Sequence, residues 1–110
     1  RKTMLYIQEH FKEPISMEDL CVVVDRSKSY LSSRFKKEVG QSITDYIKLT
    51  RTEYAKHLLL YTELSILQIA LESGFDSQNY FSTVFKSVTG MTPMSYRSKV
   101  VSSVDHLGAD

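Results

Sequence analysis

One unit is written twice in this chain. At an offset of 50 residues, Ser27 matches Ser77, Tyr30 matches Tyr80, Ser32 matches Ser82, Phe35 matches Phe85, Lys36 matches Lys86, Gly40 matches Gly90 and Tyr46 matches Tyr96. Upstream the offset is 49, pairing Ser16 with Ser65 and Leu20 with Ile69, so the turn of the second copy carries one extra residue. Two copies are too few for a solenoid, which needs about three stacked repeats to bury a continuous core. The length of 110 residues instead suits one compact unit, or two very small ones sharing a core.

Helical spacing and capping chemistry place the elements. Residues 2–12 open a helix with Met4, Ile7 and Phe11 on one side, ended by Pro14. Ser16 caps a helix whose Met17, Leu20, Cys21 and Val24 form an inward stripe. A turn through Asp25-Arg26 follows; Ser27 caps the next helix, with Leu31 and Phe35 inward and Gly40 as its stop. Ser42 caps a long helix to about Tyr61, with Asp45 near the positive end of its dipole. Its stripe is Ile43, Tyr46, Ile47, Thr50, Tyr54, Leu58 and Tyr61, widened by Leu49, Ala55, Leu59 and Leu60. A helix apolar on more than one side needs more than one covering neighbour, as a strut between two small bundles would.

In the second copy, Ser65-Ile66-Leu67-Gln68 reads as a capping box opening a short helix that ends at Gly74. Asp76 is the expected N-cap of the following helix, whose apolar face is Phe81, Val84, Phe85 and Val88, with Gly90 as its stop. Thr92 and Pro93 cap and open a last helix with Tyr96 inward, and residues 102–110 read as a tail. The expected fold is all-α: about seven helices forming two helix-turn-helix subdomains, residues 1–41 and 62–101, joined by a long central helix over 42–61.

The run from Gly74 to Arg97 resembles the C-terminal DNA-binding domain of AraC/XylS-type transcription regulators. Members carry a pattern close to S-I-x-x-I-A-x-x-x-G-F-x-x-x-x-Y-F-x-x-x-F-K-x-x-x-G-x-T-P-x-x-Y-R. It is met here at Ser65, Ile66, Ile69, Ala70, Gly74, Phe75, Tyr80, Phe81, Phe85, Lys86, Gly90, Thr92, Pro93, Tyr96 and Arg97. A bare helix-turn-helix pattern is a weak signal; a match of this length at fixed spacing is a strong one. The first copy fits a looser version at Leu20, Ser27, Tyr30, Leu31, Ser32, Phe35, Lys36 and Gly40, and Arg51, Ala55, Leu58 and Leu59 fit the linker-helix pattern. The departures are Cys21 for a small Ala, Asp25 for the turn glycine and Arg26 for an apolar residue. Asp adopts a left-handed conformation less readily than Gly, so the first turn is expected to pack less tightly than the second.

Charge is informative through its placement. The net charge is only +1, but residues 26–37 carry Arg26, Lys28, Arg34, Lys36 and Lys37 with no acid, and residues 77–104 carry Lys86, Arg97 and Lys99 with no acid. A basic face opposite an acidic one fits phosphate binding; a merely solvated helix face is the alternative. The single cysteine, Cys21, excludes an internal disulfide, and its apolar stripe suggests a buried, inert thiol. No phosphate loop, nucleophile elbow or metal-ligand spacing points to an enzyme, and no cofactor is expected. His10, His57 and His106 are far apart in the chain and read as surface or packing residues.

The outward rows of the two second helices are Lys28, Ser29, Ser32, Ser33 and Lys36, and Gln78, Asn79, Ser82, Thr83 and Lys86. In a major groove these would face base edges and flanking phosphates. Expected base contacts are Ser29, Ser32, Ser33, Arg34, Gln78, Asn79, Ser82 and Thr83. The amides of Gln78 and Asn79 suit adenine, Thr83 offers a methyl or a hydroxyl, and Arg34 suits guanine. The serines are weak readers, with plain helix surface as their alternative; related domains often read more strongly with the first helix, whereas here either the second is expected to be stricter or Arg34 reaches inward to a guanine. Expected phosphate contacts are Lys28, Lys36, Lys86 and Arg97, with the helix N-termini at Ser42 and Thr92; for Arg97 an internal carboxylate partner is the alternative. Tyr30 and Tyr80 sit at the border of core and surface, as core residues with tethered hydroxyls or else as stacking platforms. A helix from Ser42 to Tyr61 would span roughly 30 Å at about 1.5 Å per residue, close to the about 34 Å between successive major grooves.

The implied partner is therefore double-stranded DNA. By resemblance the whole protein would be a bacterial, cytoplasmic regulator with a sensing or dimerising segment before Arg1, contacting RNA polymerase and usually activating transcription. No run approaches a membrane span, and a start at Arg1 reads as a fragment of a longer chain. The competing reading is a protein-interaction module of the same fold; RNA is weaker, for want of aromatic platforms.

Overall fold

The computed structural model describes residues 2–99 and is helical throughout, with no strand among the described residues. In order, the helices are α1 (Lys2–His10), α2 (Met17–Val24), α3 (Lys28–Val39), α4 (Ile43–Tyr61), α5 (Ile66–Glu72), α6 (Gln78–Thr89) and α7, described over 93–99. The expected tail lies outside the described residues. The chain forms two compact units, and their boundary falls inside α4, between Arg51 and Thr52.

In the first unit, Ser16 is extended, its Oγ accepts from the Asp19 N–H at 3.0 Å, and Asp19 Oδ2 accepts from the Ser16 N–H at 3.2 Å. This reciprocal box satisfies two donors that a helix start leaves unpaired. Ser27 caps α3 by accepting from the Tyr30 N–H, and Gly40, at φ 89°, ends it. The core is Ile7, Leu20, Leu31, Phe35 and Ile43, with the Tyr46 ring edge-on to Phe35 at 5.5 Å. Arg51 fastens the segment after α1: its Nε donates to Phe11 O at 2.7 Å and its Nη2 to Glu13 O at 2.9 Å.

The turn between α2 and α3 places Asp25 at φ 55°, ψ 51°, the one non-glycine residue with positive φ among the described residues. A left-handed backbone costs an L-residue roughly 1–2 kcal/mol, less for Asp than for most. Asp25→Gly is expected to stabilise the first unit by about 0.5–1 kcal/mol, read as a higher denaturation midpoint at unchanged slope; a lower midpoint would show that the Asp side chain contributes something the backbone geometry hides.

In the second unit, Ser65 and Gln68 form the expected capping box, and Gly74 turns the chain at φ 97°. Phe75, Phe81 and Phe85 pack in sequence, at 5.1 Å and 5.6 Å between centroids, and Tyr96 of α7 closes the row at 5.4 Å from Phe85. Around them lie Ala55, Leu58, Leu59, Ile69, Ala70 and Val84. Arg97 ties α7 to the end of α4: Nε donates to Leu59 O at 3.1 Å, Nη1 to Leu64 O at 2.8 Å and Nη2 to Thr62 O at 3.2 Å. At the repeat offset Arg97 corresponds to Ile47, and Arg51 stands one helical turn beyond it on the same face. Each unit thus pins its entry segment with an arginine, reached from neighbouring rungs.

Several expectations change. The N-cap of α6 is Ser77, whose Oγ accepts from the Tyr80 N–H at 3.1 Å; Asp76 stands one residue too early to reach that amide. α1 stops at His10 rather than residue 12. Val88 is 39% exposed and Tyr61 70% exposed, because periodicity gives a side chain's direction but not how far its covering neighbour extends. Cys21 is half-buried, at the edge of its stripe. Thr52 and Ser73, polar and unremarked by any pattern, are fully buried.

Candidate nucleic-acid interface

α3 and α6 are each the second helix of a helix-turn-helix, held at both ends by a serine N-cap and a left-handed glycine. Each buries one face, Leu31 and Phe35 in α3 and Phe81, Val84 and Phe85 in α6. The opposite face is then turned outward by helix geometry. On α3 this leaves Lys28, Ser29, Ser32, Ser33 and Lys36 exposed together, with Lys37 beside them. On α6, Gln78, Asn79, Thr83 and Lys86 are exposed, and Ser82 is half-buried. Neither helix has an acid in its first turn, and both have lysine in the last. The two rows are described each within its own unit.

Thr83 Oγ1 donates to Asn79 O at 3.1 Å. With the hydroxyl hydrogen spent on the helix, the methyl is the part of Thr83 most available to a base. The bond ties the Thr83 side chain to the helix backbone one turn earlier in the same row.

Arg34 is exposed but engaged. Its Nε donates to Glu38 Oε2 at 2.8 Å and its Nη1 to Tyr30 Oη at 3.2 Å. The Glu38 hydrogen bond and charge raise the pKa of Arg34, and Arg34 holds the Glu38 carboxyl below its usual range. Both side chains are more than half exposed, so water screens the pair and it adds little to stability. The two tyrosines are half exposed, at the border of core and surface: Tyr30 has the Arg26 guanidinium over its ring at 5.5 Å, and Tyr80 lies edge-on to Phe75 at 6.0 Å. Of the two, Tyr30 shows the expected tethered hydroxyl, through Arg34. Sequence reasoning missed Glu38 and Arg26 as neighbours of the site; the spacing of four from Arg34 was the available signal for Glu38, whereas Arg26 stands in the turn before α3, where that rule does not reach.

Two phosphate expectations are altered by geometry. Arg97 is half-buried and directs its fork at the three carbonyls that end α4 and precede α5, so its partners inside the fold are backbone carbonyls in place of the expected carboxylate, and that commitment argues against a phosphate contact. A guanidinium so committed joins helices rather than reaching outward. At the N-terminus of α4, the Ser42 Oγ accepts from the Asp45 N–H at 3.1 Å, and the Asp45 carboxylate stands in that first turn, where it opposes a second anion. Thr92 caps α7 in the same manner, accepting from the Ser95 N–H at 3.1 Å, and residues 93–95 bring no acid.

Among the described residues, no group of three His, Cys, Asp or Glu gathers to hold a metal, and no helix is long and apolar enough to cross a membrane. Residues 20–99 match the model of a helix-turn-helix domain. The chain is 42% identical over 98 residues to an uncharacterized HTH-type transcriptional regulator, YbfP, of Bacillus subtilis, covering 89% of this chain and 33% of that protein. It superposes on the C-terminal domain of AraT, a response regulator from Geobacillus stearothermophilus, with TM-score 0.87 and 40% identity over 90% of this chain and 83% of that one. A Chromobacterium violaceum transcriptional regulator described as an AraC-type DNA-binding domain-containing protein gives TM-score 0.82 and 30% identity, over 89% of this chain and 88% of its own. The chain spans 12% to 33% of the length of the HTH-type regulators it matches in sequence.

Proposed function

This chain belongs to the AraC-type family of helix-turn-helix domains, and from that membership we propose that it binds double-stranded DNA sequence-specifically to regulate transcription. The observation that carries the reading is the pair of outward rows on α3 and α6, exposed except at Ser82, free of acid along the row and flanked by lysine. An amide-rich row can pair with adenine edges, and lysines at its end meet the phosphates beside the groove.

The two helices enter successive major grooves, so that one monomer covers an asymmetric site. The 19 residues of α4, about 28 Å at 1.5 Å per residue, support that spacing. Gln78, Asn79 and Thr83 read bases on the α6 side, Thr83 through its methyl; Ser29, Ser32, Ser33 and Arg34 read on the α3 side, and Ser82 contributes least. Lys28, Lys36, Lys86 and Thr92 hold phosphates, and Ser42 contributes little beside Asp45. The domains 1–41, 42–61 and 62–101 serve as first reader, connector and second reader. The whole protein acts in a bacterial cytoplasm, carries a sensing or dimerising segment beyond this stretch, and activates transcription through contact with RNA polymerase, as its family suggests.

Selection of bound sequences from a random DNA pool tests the reading, and an electrophoretic shift across salt concentrations tests its electrostatic part. Gln78→Ala is expected to cost about 1–3 kcal/mol on the selected site and little on random DNA, whereas Lys86→Ala weakens both alike and lowers the salt slope by about one unit. Equal weakening of all sequences by Gln78→Ala would remove it from base reading. A chain with no DNA affinity at any salt would favour the protein-interaction module instead.

A further inference from the structure

We propose that Glu38 is a positioning residue for DNA reading: it braces Arg34 so that the guanidinium presents its free end to a guanine edge instead of wandering onto phosphates. The proposal rests on α3 entering a major groove, as set out above. Residues 30, 34 and 38 are four apart within α3 and form one row, with Arg26 in the turn just before it. Along it the Arg26 guanidinium covers the Tyr30 ring, the Tyr30 hydroxyl accepts from Arg34 Nη1, and Glu38 accepts from Arg34 Nε. Nothing comparable stands in the second copy, where the corresponding residues are Asp76, Tyr80, Val84 and Val88. Val84 is core there, 4% exposed, whereas the Arg34 side chain is 57% exposed. The repeated fold therefore does not need the ion pair; it is an addition to the surface of the first unit.

The donor arithmetic gives the pair a use. A guanidinium has five N–H groups in a planar fork. Glu38 takes the one on Nε and Tyr30 takes one on Nη1, leaving the second hydrogen of Nη1 and both on Nη2. Those lie at the far end of the fork, where two parallel donors match guanine O6 and N7. An arginine held on its inner edge loses less freedom on meeting a base than a free one does. The carboxylate also opposes capture of the same guanidinium by a lone phosphate, which would bring a second anion close to Glu38. Both side chains line a cleft of about 340 Å³ together with Arg26 and Tyr30.

The test compares wild type, Glu38→Gln, Arg34→Ala and the double variant on selected and random DNA, with circular dichroism as the check on folding. Wild type is expected to select a guanine that Arg34→Ala no longer requires. Glu38→Gln relaxes that position and tightens random-DNA binding on the order of fivefold at about 0.1 M salt, the worth of one freed phosphate contact. In the Arg34→Ala background this gain disappears. A gain of the same size in that background would mean that Glu38 merely repels phosphates, and undiminished guanine preference in Glu38→Gln would mean that no bracing occurs; either overturns this proposal alone. A wild-type chain without DNA affinity overturns the reading beneath it as well.

Discussion

Arg97→Ala is expected to remove about 3 kcal/mol of stability while leaving the salt dependence of DNA binding unchanged. The side chain donates to the carbonyls of Leu59, Thr62 and Leu64, and so joins α7 to the segment between α4 and α5. Hydrogen bonds from a charged donor contribute roughly 1.5–3 kcal/mol each, and the three are not additive because one side chain makes them all. Lysine should not rescue the loss, since a point charge on a flexible stem cannot serve three divergent acceptors. Denaturant titration reads the stability and a shift assay across salt reads the slope. A slope lower by about one unit would return Arg97 to the phosphate contacts.

Phe81→Ala is expected to cost more, about 4 kcal/mol. Its ring is fully buried and touches both Phe75 and Phe85, so truncation opens a hole at the middle of the aromatic row. The second unit places most of its buried side chains around that row, and a cost of this size approaches the whole stability of a small domain, about 5–15 kcal/mol. The two buried sets have no residue in common. Methyl resonances of Ile7, Leu20 and Leu31 should therefore shift far less than those of Ile69 and Leu59. A change spread evenly over both sets would show tighter coupling of the two cores than their membership implies.

Much of this fold was legible because its signals are local. The Ser65–Gln68 box, the Ser27 cap and the glycines at 40 and 90 each act within four residues, so sequence spacing alone displays them. The cap expected at Asp76 missed by one residue, since Ser77 can cap as well and only the register with the Tyr80 amide decides. Arg97 was illegible for the opposite reason. Its acceptors are backbone carbonyls 33 to 38 residues away, and a carbonyl has no letter in the sequence. Thr52 and Ser73 are buried despite their hydroxyls, which composition counts as polar. The outward rows on α3 and α6 could be read directly, being what remains once the apolar stripes are assigned, but the brace on Arg34 needed coordinates to show which of its neighbours it chooses.

The boundary inside α4 has a practical corollary. Its early turns, with Ile43, Tyr46 and Ile47, line one interior, and Ala55, Leu58 and Leu59 line the other. Deleting 42–61 as though it were inert cord would gut both halves. Anyone wishing to liberate a single half must carry its own stretch of rod along, through 51 for the former or from 52 for the latter, and supply new capping groups at the severed end.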